Sequence, residues 1–208
     1  GLNNMLAGED RNNSLNGMNG VDVMYGGAGN DVYYCNTTLD RASEQHTTGV
    51  DDGGTDKVYA AADYVLDDFI EYLTLTGTGN LSGTGNAEAN VILGNSGNNV
   101  LRGMASNDKL TGGSGADLFV FEAAGSNGLD RIVDFAQGID HLAFAAADYG
   151  TANLTIGRVA VGADAQFVFN SGNHTLYWDA DGAGGQVMTA LAVFSGVAVL
   201  QASDFLFE

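Results

Sequence analysis

A nine-residue period fills the first 34 residues and limits what the chain can fold into. The unit that begins at Gly26 reads Gly-Gly-Ala-Gly-Asn-Asp-Val-Tyr-Tyr, and similar units begin at Gly17 and Gly8. In each unit the sixth residue is Asn or Asp, and the eighth residue is apolar. Counting a partial unit at the start, the sixth residues are Asn4, Asn13, Asp22 and Asp31, and the eighth are Leu6, Leu15, Met24 and Tyr33.

The same unit returns in a second array after an interruption. A linker rich in Gly and Asn would carry no apolar residue in register, so the period predicts a packed, repeating structure. The second array begins units at Gly85, Gly94, Gly103 and Gly112, with Asn90, Asn99, Asp108 and Asp117 at the sixth position and Ile92, Leu101, Leu110 and Phe119 at the eighth.

The unit has a simple physical interpretation. Six residues rich in glycine predict a turn, and the remaining three predict a short strand whose alternate side chains point in and out. An inward eighth residue stabilises the fold by roughly 1.5–3 kcal/mol when buried. Turns that lie one coil apart would enclose an oxygen-lined hole, which suits Ca²⁺ better than Mg²⁺. We therefore predict an all-β protein whose short strands stack in successive coils.

The units resemble the GGxGxDxUx nonapeptides of RTX proteins, the hemolysin-type calcium-binding repeats that form a parallel β-roll. The fold that this resemblance implies is an all-β, right-handed parallel β-roll. The resemblance implies several bound Ca²⁺ ions, held by position-six residues that pair on one side of the roll: Asn4 with Asp22, Asn13 with Asp31, Asn90 with Asp108, and Asn99 with Asp117. It also implies carbonyl ligands from Gly17, Gly20, Gly26, Gly27 and Gly29 in the first array, and from Gly94, Gly97, Gly103, Gly112, Gly113 and Gly115 in the second.

Several positions depart from this pattern. Four of the eight sixth positions are Asn, which offers an oxygen but no charge. Arg11 and Ser106 replace glycine at position four. We expect fewer or weaker ion sites at the N-terminal end of each array.

Composition agrees with a cation-binding surface. The chain has 7 Lys and Arg against 26 Asp and Glu, a formal net charge of -19. This charge excludes nucleic acid as a partner, because nucleic acid needs a basic surface. Cys35 is the one cysteine, so no intrachain disulfide can form, and bound metal is the expected alternative source of stability.

The ends of the chain predict a fragment of a longer protein. Residues 1–4 begin inside a repeat, without the basic and apolar segments of a signal peptide. The chain contains no stretch of about 20 apolar residues, so the sequence predicts no membrane span. The final residues, 202–208, resemble the uncleaved C-terminal signal of type I secretion substrates.

The period divides the chain into four predicted segments. Residues 1–34 are the first array, and residues 35–84 are a β-rich insert that continues the solenoid, with strands predicted at Lys57–Leu66 and Ile70–Thr76. Residues 85–121 are the second array. Residues 122–208 resemble the segment that follows the repeats in serralysin-type proteases and alginate epimerases, which implies an antiparallel β cap. Within it we predict a hairpin from residues 166–169 and 174–178.

Candidate chemistry outside the repeats is sparse. Asp179 and Asp181 begin a D-x-D-G stretch that resembles a calcium loop, although a hairpin turn with solvated acids is the simpler interpretation. The chain has no H-E-x-x-H, no G-x-S-x-G and no phosphate-binding loop. The three histidines, His46, His141 and His174, have no ligand spacing and are expected at the surface or in turns. We therefore expect no catalytic site in this chain.

These observations favour a calcium-binding module that folds after type I secretion and stabilises an upstream domain of a larger secreted protein. Its expected partners are that domain and the secretion machinery. One alternative is an extracellular module that binds carbohydrate or a cell surface. Another is the non-catalytic part of a secreted protease, lipase or polysaccharide-modifying enzyme.

Overall fold

The computed structural model of the protein describes residues 1–44, 53–123, 125–150, 152–197 and 199–208. His46 lies outside these ranges. The described residues form an all-β fold with one short α-helix, α1 (Ala146–Tyr149). No helix in the described ranges has the length and apolar character that crossing a bilayer requires.

The strands of the roll are short, mostly three or four residues. In chain order they are β1 (Met5–Ala7), β2 (Ser14–Asn16), β3 (Val23–Tyr25), β4 (Val32–Cys35), β5 (Arg41–Ser43), β6 (Lys57–Ala60), β7 (Tyr64–Val65), β8 (Tyr72–Leu75), β9 (Ser82–Thr84), β10 (Val91–Leu93), β11 (Val100–Arg102), β12 (Lys109–Thr111), β13 (Leu118–Phe121), β14 (Asp130–Ile132) and β15 (His141–Phe144). The C-terminal strands are β16 (Asn153–Ile156), β17 (Gln166–Asn170), β18 (Thr175–Asp179), β19 (Thr189–Phe194) and β20 (Phe205–Phe207).

Successive strands alternate between the two faces of a parallel β-roll, which confirms the predicted fold class. One face stacks the even-numbered strands from β2 to β14 in parallel. The opposite face carries the odd-numbered strands, with β1, β3 and β5 in one sheet and β7 to β15 in another. Within the arrays, partners are two repeats apart, as in Ser14 opposite Val32 and Val91 opposite Lys109.

The insert between the arrays contributes coils to the same roll. On one face β6 and β8 pair in parallel between β4 and β10. The single strand predicted at Lys57–Leu66 is wrong, because the segment forms β6 and β7, which lie in different sheets. The chain bends at residues 61–63, since each coil of a roll must cross from one face to the other. The predicted strand at Ile70–Thr76 is observed as β8, which is shorter.

The eighth residue of each unit forms the core of the roll. Leu6, in the first coil, is half-buried. The inward orientation predicted from the period is confirmed by the burial of Leu15, Met24, Tyr33, Ile92, Leu101, Leu110 and Phe119.

The C-terminal region closes the roll, but much of it continues the parallel pairing. β14 and β15 add to the two faces by pairing in parallel with β12 and β13. Among the described strands, antiparallel pairing is confined to β17, β18 and β19, whereas β16 pairs in parallel with β17. The expectation that the antiparallel cap includes residues 130–142 is therefore corrected. The hairpin predicted around residues 171–173 is confirmed by the pairing of β17 with β18.

An aromatic core supports this C-terminal region. The ring of Phe167 lies 4.5 Å from that of Phe144 and 4.9 Å from that of Trp178, measured between centroids. Trp178 also contacts Tyr149 edge-on at 5.1 Å. The indole is therefore part of the core.

Candidate metal centre

A ladder of hydrogen bonds links the sixth positions of successive coils. The backbone N–H of Asn99 donates to Asp117 Oδ1 at 2.8 Å, and the N–H of Asn13 donates to Asp31 Oδ1 at 2.6 Å. The same bond joins the other two predicted pairs, Asn4 with Asp22 and Asn90 with Asp108. The structure therefore brings all four predicted pairs together, through the backbone of the Asn and not through its side chain.

The second oxygen of each of these aspartates has no partner. Oδ2 is buried and makes no hydrogen bond in Asp22, Asp31, Asp108 and Asp117. All four residues are at most 2% exposed. A buried carboxylate oxygen without a partner is costly, and it normally marks an ion or water that satisfies it.

The asparagines at position six differ from the aspartates, because their side chains are satisfied within the protein. Asn90 Oδ1 accepts the N–H of Asn86 at 2.7 Å, and Asn90 Nδ2 donates to the carbonyl of Ile70 at 3.0 Å. Asn99 does the same with the N–H of Asn95 and the carbonyl of Leu81. These amides need no ion to complete their hydrogen bonding.

The predicted glycines form the walls of each turn. Gly115 illustrates the constraint: its φ is 117°, and an added Cβ would stand 2.6 Å from the carbonyl oxygen of Gly97 in the preceding coil. A side chain there would push stacked turns apart. The first-position glycines lie against the aspartate Oδ2 of their own unit, and this group comprises Gly17, Gly26, Gly103 and Gly112. Gly94 lies against Asn99 Oδ1 and the carbonyl of Gly112. Backbone of the preceding coil lies against four others: Gly20, Gly29, Gly97 and Gly113. Gly27 has a left-handed φ of 87°.

Four further acids extend the ladder, and the sequence did not single them out. The N–H of Asp22 donates to Asp40 Oδ1, and that of Asp31 donates to Asp56 Oδ1. After the second array, Asp130 and Asp140 accept from Asp108 and Asp117 in the same way. Their spacings of 18, 25, 22 and 23 residues are irregular. The sequence does place an acid about one coil after each of these aspartates. Because the turns differ in length, these acids do not follow the nine-residue period.

Burial raises the pKa of several carboxyl groups in the ladder. It raises the pKa of Asp108 to about 8, that of Asp130 to about 7 and that of Asp117 to about 6. The charge of Asp130 also contributes to the raised pKa of Asp108. Without a cation, the ionised ladder is therefore unfavourable in the folded protein.

The turns fit a hard cation. Their donors are carboxylate and carbonyl oxygens, the ligand set that Ca²⁺ takes in a flexible cage. The orphaned Oδ2 atoms supply negative charge beside the closely stacked glycine backbone. A bound cation would satisfy the buried oxygens and neutralise the stacked acids.

Asp179 and Asp181 lie apart from the repeats. Asp179 ends β18, and its Oδ1 accepts the N–H of Asp181 at 3.2 Å. Asp181 Oδ2 accepts the N–H of Gln186, while Oδ1 is buried without a partner. Among the described residues, these two acids belong to no group of three metal-ligating side chains. Their part in metal binding stays a prediction.

The remaining candidates occupy ordinary structural positions. His174 lies in the β17–β18 turn with a φ of 55°, and His141 begins β15. Both are partly exposed. Cys35 is buried and unpaired.

Comparison with known proteins places the repeats in a family. A family model described as the RTX calcium-binding nonapeptide repeat (4 copies) matches residues 1–33 and residues 84–119. Two curated proteins of Rhizobium meliloti (strain 1021) are similar. Endo-1,3-1,4-beta-glycanase EglC is 37% identical over 155 residues, covering 72% of this chain and 32% of EglC. Endo-1,3-1,4-beta-glycanase ExsH is 40% identical over 93 residues, covering 44% of this chain and 19% of ExsH.

The chain thus spans at most about a third of the length of these two relatives. The matched residues coincide with the coils that carry the aspartate ladder, and RTX nonapeptide repeats bind several Ca²⁺ ions. The two arrays are therefore RTX calcium-binding nonapeptide repeats.

Proposed function

We propose that this chain is a module that folds on binding calcium after secretion and then stabilises a larger protein to which it belongs. The observation that carries the proposal is the buried, unpartnered Oδ2 atom of Asp22, Asp31, Asp108 and Asp117. We assign these four aspartates as charged calcium ligands, with carbonyls of the predicted glycines completing the sites.

Without calcium, the roll is expected to be unstable. Its strands in the arrays are mostly three residues long, so each coil buries few apolar side chains against the entropy of ordering its turns. The ladder also stacks acids directly, as in Asp108 next to Asp130. Bound calcium supplies the positive charge that offsets this repulsion, so binding and folding are coupled.

This coupling suits export in an unfolded state. Calcium sites of extracellular modules have dissociation constants of about 10⁻⁴–10⁻³ M, so they fill outside the cell and stay empty inside it. The proposed secretion signal at residues 202–208 includes β20, which pairs with β15 in the folded protein. Phe205 is buried there. An unfolded chain would leave this segment accessible to a type I secretion system.

The larger protein is proposed to act on a polysaccharide. The support is the similarity to two proteins named endo-1,3-1,4-beta-glycanases, of which this chain matches a minor part. We assign the present residues no catalytic role, and we retain the four segments 1–34, 35–84, 85–121 and 122–208 as the proposed organisation.

Glycan binding by the roll itself is a second candidate, favoured by one surface feature. Tyr34 and Tyr59 stack on the outside of β4 and β6, with ring centroids 5.5 Å apart, and Tyr34 is 41% exposed. Pull-down with β-glucan in saturating calcium tests this candidate. A Tyr34→Ala variant that binds glycan as well as the wild type would remove it.

The main proposal is tested by far-UV circular dichroism during a calcium titration, with magnesium as the control cation. We expect a steep gain of β signal with calcium alone. Asp117→Ala should shift the midpoint of the titration to higher calcium concentration. Asp148 is an exposed acid on α1, so Asp148→Asn should leave the midpoint unchanged. A β signal already complete in chelator would reject calcium-driven folding.

A further inference from the structure

Three acidic side chains meet inside the roll where the first array ends. Asp31, Glu44 and Asp56 each offer one carboxylate oxygen, and these oxygens lie within 4.8 Å of one another. We call these three residues the junction cluster. Asp31 belongs to a nonapeptide unit, but Glu44 and Asp56 lie in the insert, outside the residues matched to the repeat. The cluster is therefore not a copy of the repeated site.

The cluster is fully enclosed. Asp31 and Glu44 are each 0% exposed, and Asp56 is 1% exposed. Three carboxylates so close together in a low-dielectric interior repel one another strongly. Burial is expected to be tolerated only if charge is removed or balanced.

Two oxygens of the cluster point to a ligand. Glu44 Oε2 and Asp31 Oδ2 are both buried, and neither has a hydrogen-bond partner. The other oxygen of each side chain has a different role. Glu44 Oε1 accepts the hydroxyl of Tyr33, and Asp31 Oδ1 accepts the N–H of Asn13. The side chains are thus held in place, with one buried oxygen of each left without a partner.

Basic side chains of the described residues do not balance Asp31 or Glu44. Three arginines of the described ranges pair with other acids, since Arg11 pairs with Glu9, Arg41 with Asp67 and Arg102 with Glu122. Lys57 follows Asp56 in sequence, but its ammonium group lies over the Tyr72 ring, 5.1 Å from the centroid. A bound cation would supply the positive charge that balances these buried acids.

We propose that the junction cluster is a calcium site in which Glu44 and Asp56 complete the coordination of an ion also held by Asp31. The inference rests on the proposed role of Asp31 and extends the calcium-binding machinery beyond the nonapeptide units. Three carboxylates and no nitrogen or sulfur donor favour a hard cation with flexible geometry, which is Ca²⁺. The site lies between β4 and β6, so it would fasten the insert to the first array.

The test counts calcium ions by native mass spectrometry and measures their affinity by calorimetry, with magnesium as the control cation. The variants are Glu44→Gln and Asp56→Asn, with Asp117→Asn as the matched repeat-site variant. We expect Glu44→Gln to bind one calcium ion fewer than the wild type, or to bind one ion at least tenfold more weakly. Asp56→Asn should weaken the binding of the same calcium ion. The Glu44→Gln/Asp56→Asn double variant should therefore lose that ion and no other.

The outcomes separate this inference from the proposed function. If Glu44→Gln and Asp56→Asn keep the wild-type count and affinities while Asp117→Asn loses an ion, the junction site is wrong and the repeat sites stand. A buried Glu44 that stays protonated would give that result. If none of the variants alters calcium binding, both proposals fail. If Glu44→Gln does not fold, Asp56→Asn with unchanged count and affinities is sufficient to overturn the junction site.

Discussion

The roll and the C-terminal region of this protein obtain their stability by different means. Each repeat of the arrays buries about one apolar side chain, and the turns enclose carboxylate oxygens that have no hydrogen-bond partner. The C-terminal region instead packs Phe144, Phe167 and Trp178 into a continuous aromatic core. We therefore expect the roll, with its three-residue strands, to depend on ions in its turns. The C-terminal region should depend on them only through the coils on which it stands.

The largest effect is expected from removing an aromatic ring in the C-terminal region. Phe167→Ala should lower the free energy of unfolding by about 3–5 kcal/mol, because the ring is fully buried and leaves a cavity. Urea unfolding in saturating calcium measures this loss. The number of calcium ions bound should stay the same, since the ring is remote from the turns.

Tyr177→Phe is the matched control, because this half-buried ring on β18 keeps its packing and loses only a hydroxyl. Its effect should fall within about 0.5 kcal/mol. A Phe167→Ala variant that loses calcium ions would contradict the separation between the two regions.

Stacking of the turns is tested by Gly115→Ala. The left-handed φ alone should cost about 1–2 kcal/mol, and the close approach to the Gly97 carbonyl should add to that. Gly138→Ala is the control, since Gly138 also has a positive φ, of 75°, but no atom within 4 Å of an added Cβ. Thermal unfolding compares the two variants. Equal losses would mean that tight stacking of the turns contributes little.

The ion sites themselves are tested by Asp108→Asn, whose effect should change sign with calcium. The affinity of the variant for calcium should be about tenfold lower, or about 1.4 kcal/mol, because a charged ligand is lost. In chelator it should fold more readily than the wild type, because a buried and repelling charge is gone. Calcium-dependent circular dichroism detects both effects. Destabilisation of equal size in both conditions would indicate a purely structural aspartate.

The calcium-free protein is also expected to show a pH dependence of its stability. The raised pKa values of Asp108 (about 8), Asp130 (about 7) and Asp117 (about 6) mean that the folded state binds more protons than the unfolded state, in which Asp titrates near 3.9. Stability without calcium should therefore fall as pH rises from about 4 to about 8.

Far-UV circular dichroism in calcium-depleted buffer between pH 5 and pH 8 checks this trend. Saturating calcium should abolish it, because ion and proton compete for the same oxygens. Stability that rises with pH in the calcium-free protein would contradict the assignment of buried acids to the turns.

Much of the roll could be predicted from the period alone. The fixed spacing of Asp22 and Asp31, or of Leu101 and Leu110, specifies which side chains point to the turns and which point to the core. The period also predicts which residues stack, because partners two repeats apart must lie on the same face. The hairpin of β17 and β18 was equally accessible, since alternation and a Ser-Gly-Asn turn are local signals.

The parts that escaped prediction depend on contacts between coils of unequal length. Asp56 and Asp130 join the ladder only because coils of different length still align their strands, and sequence spacing does not reveal this. Glu44 joins the junction cluster for the same reason. The parallel pairing of β14 and β15 was missed because a strand's sequence does not specify its neighbour's direction.

Hydrogen–deuterium exchange in calcium and in chelator tests the central claim most directly, because it reports on both regions in one experiment. We predict that peptides of the arrays, covering β2 to β4 and β10 to β13, are protected in calcium and exchange rapidly in chelator. Peptides covering β17 to β19 should change less. Arrays that stay equally protected in chelator, or a C-terminal region that loses more protection than the arrays, would contradict the claim that calcium in the turns holds the roll together.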